Sequence, residues 1–388
     1  MRKLLILTDT VVGGRTGGAE SHLWNLLLGL DTKTCSVDVI YFDADNTLED
    51  PSDTQHLSKL PNINFQRIPV KRVYAPSSVK HLIKIHKIMK AGEYDCAMSF
   101  FETSDVVVGI VGYLAGIKMR ISNRRDTGFR NSKKLAVAYR VVNKFFTHFI
   151  AVSSAVKDSI IDQGVSAEKV RVIYNAVDLK RFQNLKGNEI RKQIGIKTNE
   201  QIFGMVANLY PVKNHSSVIS ALKILHGKGK NAHLVLAGEG YLQEQLEEQV
   251  SSLSLKSYVH FLGPRDDIEH VLDAIDAFVL ASHTEGLSNA LLEAMAAKKP
   301  TIASCVGGNV EVVEEGVDGF LVSTEADSIL VAMEKLFDSK TLRTEMGLKG
   351  LEHVKRQFSY EKMMASYMEI INKKVSVNEL KHPASSIL

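Results

Sequence analysis

The chain has 388 residues, more than one hydrophobic core usually serves, so two domains of roughly 180 residues each are expected. Hydrophobic residues at 45% and charged residues at 24% are ordinary globular values, which confines disorder to the ends. A net charge of +4 is too mild to point to a nucleic-acid partner, and the placing of the positive residues matters more than their sum.

Cys35, Cys96 and Cys305 lie far apart and none sits in a CxxC pair, which argues against a disulfide framework and against a zinc site. That usage fits a reducing, cytoplasmic compartment. The start MRKLLILTDT is basic, but its apolar run is cut short at Thr8 and Asp9. It is too brief for a signal-peptide core and reads as a first strand. The longest nearly apolar stretch runs from Val106 to Ile117, between Asp105 and Lys118, too short to span a bilayer.

Short β-rich runs follow one another along the first half: Lys3 to Thr8, Val37 to Phe42, Ile63 to Ile68, Tyr94 to Phe100, Met119 to Ser122, Phe149 to Ser153 and Val170 to Tyr174. They alternate with longer amphipathic stretches, as βα units of a parallel sheet do. Apolar periodicity weakens through the polar stretch from Lys180 to Gln201, where the domain link is expected. A second series then runs through Ile202 to Ala207, His233 to Ala237, Val259 to Leu262, Ala277 to Ala281, Thr301 to Ser304 and Phe320 to Val322. The fold class is therefore α/β, with two Rossmann-like domains facing across a cleft at the carboxyl ends of their strands. The expected division is 1–185, 186–358, and a C-terminal helix and tail over 359–388 that returns to the N-terminal domain. Helical spacing in the tail covers Phe358 to Ile371, with frayed residues from Val375.

The segment HTEGLSNALLEAMAAKKP, His283 to Pro300, carries the most chemistry. A strand ends near Ala281, a turn holds Glu285 and Gly286, and a helix starts near Ser288 or Asn289, both good N-cap residues. The N–H groups and positive end of such a helix suit a diphosphate. Glu285 and Glu293 could face one ligand, a loop carboxylate accepting from sugar hydroxyls and a helical one holding both hydroxyls of a ribose. Taken singly, Glu285 is read equally as a solvated loop residue, and Glu293 equally as a neighbour's cap.

In the first half, VVGGRTGGAESHLWNLLLGL is a glycine-rich turn opening a helix. Gly17 and Gly18 allow the backbone close to a phosphate or sugar. The spacing is neither GxGxxG nor a P-loop. SSVKHLIKIHKIMKAG, Ser77 to Gly92, sets Lys80, Lys84, Lys87 and Lys90 around an apolar stripe. It fits a helix lying on an anionic membrane as well as one packed on its own sheet.

Glu285-x7-Glu293 with Gly286 and EAMAAKKP, followed by TIASCVGGNVEVVEEGVDGFLV with its paired glycines, resembles the signature of family 4 of the retaining glycosyltransferases. These are the group 1 glycosyl transferases with the GT-B fold. The similarity runs from Gly17 to about Ile371.

The resemblance implies that Glu293 binds the donor ribose and that Glu285 contacts the donor sugar. It gives the distal phosphate to the N–H groups around Ser288, Asn289 and Ala290, and puts Gly286 and Leu287 among the substrate-binding residues. Lys213, in MVANLYPVKNH, matches the family lysine that neutralises the diphosphate. The leaving diphosphate gains charge as the glycosidic bond breaks, so a cation there is needed. Where the family has an arginine five positions earlier, this chain has Asn208, a weaker donor. FLGPRDDI, with Leu262 and Arg265, lies where family members seat the base. It and Gly238-Glu239-Gly240 are read equally as βα turns.

Many members place a histidine after the fifth strand. Here RISNRRDTGF puts Arg125 or Asp126 at that place. Arg124, Arg125 and Arg130 either meet an anionic acceptor, such as a lipid-linked diphosphate, or form a solvated basic loop. Asp43-Ala44-Asp45 invites comparison with the metal-holding DxD pair of GT-A enzymes. With Lys213 and a helix N-terminus at the diphosphate no metal cation is required, so neither metal nor cofactor is expected.

The resemblance implies transfer from a nucleotide-diphosphate sugar, UDP favoured and GDP the alternative, to a glycan or lipid-linked acceptor in cell-surface polysaccharide or lipopolysaccharide synthesis. A cytoplasmic setting at the inner face of the plasma membrane follows. Retention is open to two routes, a covalent enzyme intermediate or front-face attack; the resemblance favours the second, which needs no obligate protein base. Two rivals share the fold: a nucleotide-sugar 2-epimerase, for which His22 could serve as acid or base, and a non-catalytic nucleotide-sugar binder.

Overall fold

The computed structural model describes residues 1–10, 17–31, 34–42, 60, 62–70, 73–128, 133–183, 185 and 187–373. Asp43-Ala44-Asp45 and Arg130 lie outside them. The chain divides into two units: Met1–Tyr174 with the chain from Met363 onward, and Asn175–Lys362.

In the first unit the apolar runs form β1 (Arg2–Thr8), β2 (Cys35–Phe42), β3 (Ile63–Ile68), β4 (Cys96–Phe100), β5 (Met119–Arg124), β6 (His148–Ala151) and β7 (Val170–Val172). They pair in parallel in the order β3-β2-β1-β4-β5-β6-β7, with Leu4 opposite Val37 on one side and Cys96 on the other. Leu4, Leu5, Ile6 and Leu7 are all fully buried. That is why β1 reads as an unbroken apolar run: a parallel strand is covered on both faces.

The second unit repeats the plan with β8 (Ile202–Val206), β9 (His233–Ala237), β10 (Val259–Gly263), β11 (Ala277–Leu280), β12 (Thr301–Ser304) and β13 (Gly319–Val322). These pair in parallel in the order β10-β9-β8-β11-β12-β13. Each expected strand is present, with ends moved by at most two residues.

Strand order reverses between β1 and β4 in one sheet and between β8 and β11 in the other. At such a switch the loops leaving neighbouring strands diverge to opposite faces, opening a crevice at the carboxyl ends. At the first switch, Asp9 follows β1 and receives the N–H groups of Thr103 (2.6 Å) and Ser104 (2.7 Å) from the first turn of the helix Glu102–Val106 that follows β4. Phe101 turns the chain there with φ of 76°, a conformation costly for a bulky residue.

The helix Tyr360–Asn372 returns to the first unit, burying Met363, Tyr367, Ile370 and Ile371. Tyr367 receives the Asn123 amide at 2.6 Å and lies 2.8 Å from His22 Nε2. The chain is helical from Glu102 to Leu114, with a π-helical turn at Val107–Val111. No helix among the described residues is long and apolar enough to cross a membrane.

Candidate active site

At the switch of the second sheet, β11 ends at Leu280 and the chain turns through Ser282 and Glu285 into the helix Asn289–Ala296. Ser288 caps this helix, its hydroxyl accepting from the Leu291 N–H at 3.3 Å. The first N–H groups of a helix have no partner within it, so this end carries partial positive charge. Glu285 is 9% exposed, and its Oε1 accepts from Lys213 Nζ at 2.6 Å and Ser282 Oγ at 2.7 Å.

Lys213 comes from the other side of the switch, in the 3-10 turn Pro211–Lys213 after β8. Asn214 follows with φ of 56°, its amide donating to the Ala281 carbonyl (3.2 Å) and the Thr324 carbonyl (2.8 Å). The N–H of His283 donates to the Val212 carbonyl at 2.8 Å. The Asn214–Ala281 and His283–Val212 bonds thus join the two loops beside the Lys213–Glu285 pair. His215 is 2% exposed. Burial, then the neighbouring Lys213 charge, lowers its pKa to about 4, so it stays neutral at neutral pH.

The paired glycines have a steric reason. Gly307 has φ of 50°, and a Cβ there would stand 1.8 Å from the Glu285 carbonyl oxygen. One on Gly308 would stand 2.2 Å from that of Gly286. Bare backbone is needed for the loop after β12 to press on the Glu285–Gly286 turn. Gly238 and Gly240 press in the same way on Ala207 and Leu209 in the loop after β8, so this pair has a packing role. Asn208 lies half-buried between those two residues.

Glu293 accepts from Arg181 Nη1 at 2.9 Å, while Arg181 Nη2 bonds Glu269 at 2.8 Å. Asn175 reaches the start of the same helix, donating to Asn289 Oδ1 at 2.6 Å and to the Leu287 carbonyl at 3.3 Å. Sequence reading passed over Asn175, Arg181, Ser282 and Asn214. Leu262 is half-buried in β10, and Arg265 closes a local fork on Asp267 with bonds of 2.7 and 2.6 Å.

The remaining expected residues belong to the first unit. Gly17 caps the helix Gly18–Gly29, which Gly18 opens; a Cβ on Gly17 would stand 2.1 Å from the Glu20 carboxylate. Arg125 is half-buried, its Nη1 3.4 Å from Asn123 Oδ1, and burial lowers its guanidinium to about 10. Arg124 is not part of a solvated loop. It is 12% exposed, pairs with buried Asp105 at 3.0 Å and lies over the Tyr139 ring. Among the described residues, Glu314, Asp318 and His353 alone gather potential metal-ligand atoms within 4.8 Å. Asp318 already accepts there from His353 Nδ1 (2.7 Å) and the Glu314 N–H (2.9 Å).

The family profile described as Glycosyltransferase Family 4 matches residues 16–181, and that described as Glycosyl transferases group 1 matches residues 187–353. The chain is 31% identical over 277 residues to the UDP-Gal:alpha-D-GlcNAc-diphosphoundecaprenol alpha-1,3-galactosyltransferase of Escherichia coli, an alignment covering 68% of this chain and 72% of that one. It is 26% identical over 330 residues to the capsular polysaccharide biosynthesis glycosyltransferase CapM of Staphylococcus aureus, covering 79% and 84%. The crystal structure of HepE of Anabaena in complex with UDP and glucose superposes with a TM-score of 0.83 at 23% identity, over 96% of this chain and 100% of that one. On the strength of these matches to both halves, the chain belongs to the group 1, family 4 glycosyltransferases and has their GT-B fold.

Proposed function

We propose that this glycosyltransferase takes a sugar from a nucleotide-diphosphate donor, UDP-linked in the first instance, retains the anomeric configuration and requires no metal ion. The observation that carries the proposal is the Lys213–Glu285 pair, 2.6 Å apart and set between the loops at the β8/β11 switch, just before the helix that Ser288 caps. A diphosphate at that helix end meets N–H groups aimed at it and an ammonium within reach. As Lys213 turns to the phosphates, the Glu285 carboxylate becomes available to a donor-sugar hydroxyl, with Ser282 still holding it. Charge developing on the leaving diphosphate is then stabilised by Lys213 and the helix end. Those two elements supply the charge compensation that a divalent cation would otherwise bring. Glu293, just over one turn into the helix Asn289–Ala296, is assigned to the ribose.

The Escherichia coli relative is named for a UDP-sugar donor and a lipid diphosphate acceptor, which supports the same pairing here. The helix Val79–Gly92 suits an acceptor held at a membrane. Lys80, Lys84, Lys87 and Lys90 are exposed together with Val79 and Ile83, a basic face with apolar residues that fits an anionic lipid surface. The epimerase alternative loses its acid/base candidate, because His22 is 2% exposed and bonded to buried Tyr367.

The test is a thermal-shift screen with UDP, GDP and ADP in chelator, followed by product analysis with the matching donor. One nucleotide should stabilise the protein, and the product should keep the donor's anomeric configuration. Lys213→Ala and Glu285→Ala should each lower kcat about 100-fold or more while the fold stays intact. Unchanged turnover in Lys213→Ala would remove the diphosphate assignment, and activity abolished by chelator would remove metal independence.

A further inference from the structure

We infer that Arg181 is a positioning residue for the donor nucleoside, fixing the Glu293 carboxylate so that it can grip both ribose hydroxyls. The inference rests on the assignment of Glu293 to the ribose. Arg181 stands in the 3-10 turn Leu179–Phe182, anchored at its start by Asp178, whose carboxylate accepts from the Lys180 N–H at 3.0 Å. From there its two terminal nitrogens part, Nη1 to Glu293 Oε1 at 2.9 Å and Nη2 to Glu269 Oε2 at 2.8 Å. Glu269 is the second residue of the helix Ile268–Ala274, which follows directly on the FLGPRDDI loop. One planar guanidinium therefore ties the ribose carboxylate to the end of the segment assigned to the base.

Three consequences follow from that geometry. Two carboxylates sharing one guanidinium lie close enough to repel, and Arg181 offsets the repulsion that would turn Glu293 aside. The pair is part-buried, with side-chain exposures of 35% for Arg181 and 18% for Glu293, so it is less screened than a surface contact. A glutamate also has a broad terminal torsion. Fixing it beforehand spares the binding step that loss of freedom, worth about threefold to tenfold in Kd. Recognition of two adjacent hydroxyls depends on the plane of the carboxylate, which Arg181 sets by holding one oxygen.

The test is calorimetric titration of the full chain with UDP and 2′-deoxy-UDP, or the guanosine pair if GDP is the nucleotide that binds. In the native protein, loss of the 2′-hydroxyl should weaken binding roughly tenfold or more, as expected for a hydrogen bond to a charged group. Glu293→Gln should abolish most of that ratio. Arg181→Gln should bring the ratio to about threefold or less, with Arg181→Lys between, since an ammonium carries the charge but not the two-pronged geometry. If Arg181→Gln weakens both nucleotides equally and leaves the ratio untouched, Arg181 is only structural and the ribose role of Glu293 stands. If Glu293→Gln keeps the native ratio, both assignments fall. Should Arg181→Gln not fold, the same ratio is read from Arg181→Lys and from Glu269→Gln, which removes the other anchor. A native ratio in both would overturn the inference.

Discussion

Among single residues, Asp9 carries the clearest pH signature. Its carboxylate receives two backbone N–H groups across the β1/β4 switch, yet burial dominates and pushes its pKa from the ordinary 3.8 up to about 6. Between those values the folded chain holds a proton that the unfolded chain has released. Stability from this group is therefore present below pH 4 and is lost as pH rises towards 6. Asp9→Asn has no such proton. The melting temperature of the variant, relative to the native chain, should rise between pH 4 and pH 6 and level off above, as read by thermal denaturation across that range. A constant difference would mean that Asp9 does not titrate with folding. At this scale the sequence was informative where a short motif concentrates the chemistry. Glu285, Ser288 and Glu293 fall within nine residues around one helix start, and Lys213 stands at the spacing of the family motif. Arg181 had no such signal, because its partners stand 88 and 112 positions away and a single arginine in a polar stretch is indistinguishable from a solvated one.

At the level of elements, the parallel strands were legible because each is an apolar run closed by polar or small residues, as burial on both faces demands. Local backbone was not: neither the π-helical turn at Val107–Val111 nor the positive φ of Phe101 leaves a mark in composition. The paired glycines were legible as a motif, but the reason for them is tertiary, since the backbone they clear is that of Glu285 and Gly286. This gives a controlled prediction. Gly307 and Gly316 both have positive φ, 50° and 72°, but a Cβ on Gly316 meets nothing within 4 Å. Alanine at either position should cost about 1–3 kcal/mol of stability for the strained backbone. Only Gly307→Ala should also displace the Glu285 turn, lowering kcat by roughly tenfold or more beyond any loss of folded protein. Equal kinetic effects from the two variants would show that Gly307 acts through strain alone.

For the whole molecule, the informative feature is that the chain passes between its two units twice, at Tyr174/Asn175 and at Lys362/Met363. Its last described helix therefore completes the unit with which the sequence began. Tyr367 secures that return. Its ring is fully buried, and its hydroxyl joins His22 of the Gly18–Gly29 helix to Asn123 of β5. With the Asn123 amide donating to it, the hydroxyl has its own proton for His22 Nε2. Apolar periodicity predicted the helix, but only the fold places a tyrosine hydroxyl between two polar groups more than 240 positions upstream. Tyr367→Phe keeps the ring and deletes that link, so the loss is about 1–3 kcal/mol, the cost of leaving buried polar groups under-bonded. The damage should begin where the bonds are made. Hydrogen exchange should accelerate in Gly18–Gly29, in β5 and in Tyr360–Asn372 before it does in β8 or β11. Acceleration spread evenly over both units would instead mean that Tyr367 contributes only to global stability and does not specifically close the first unit.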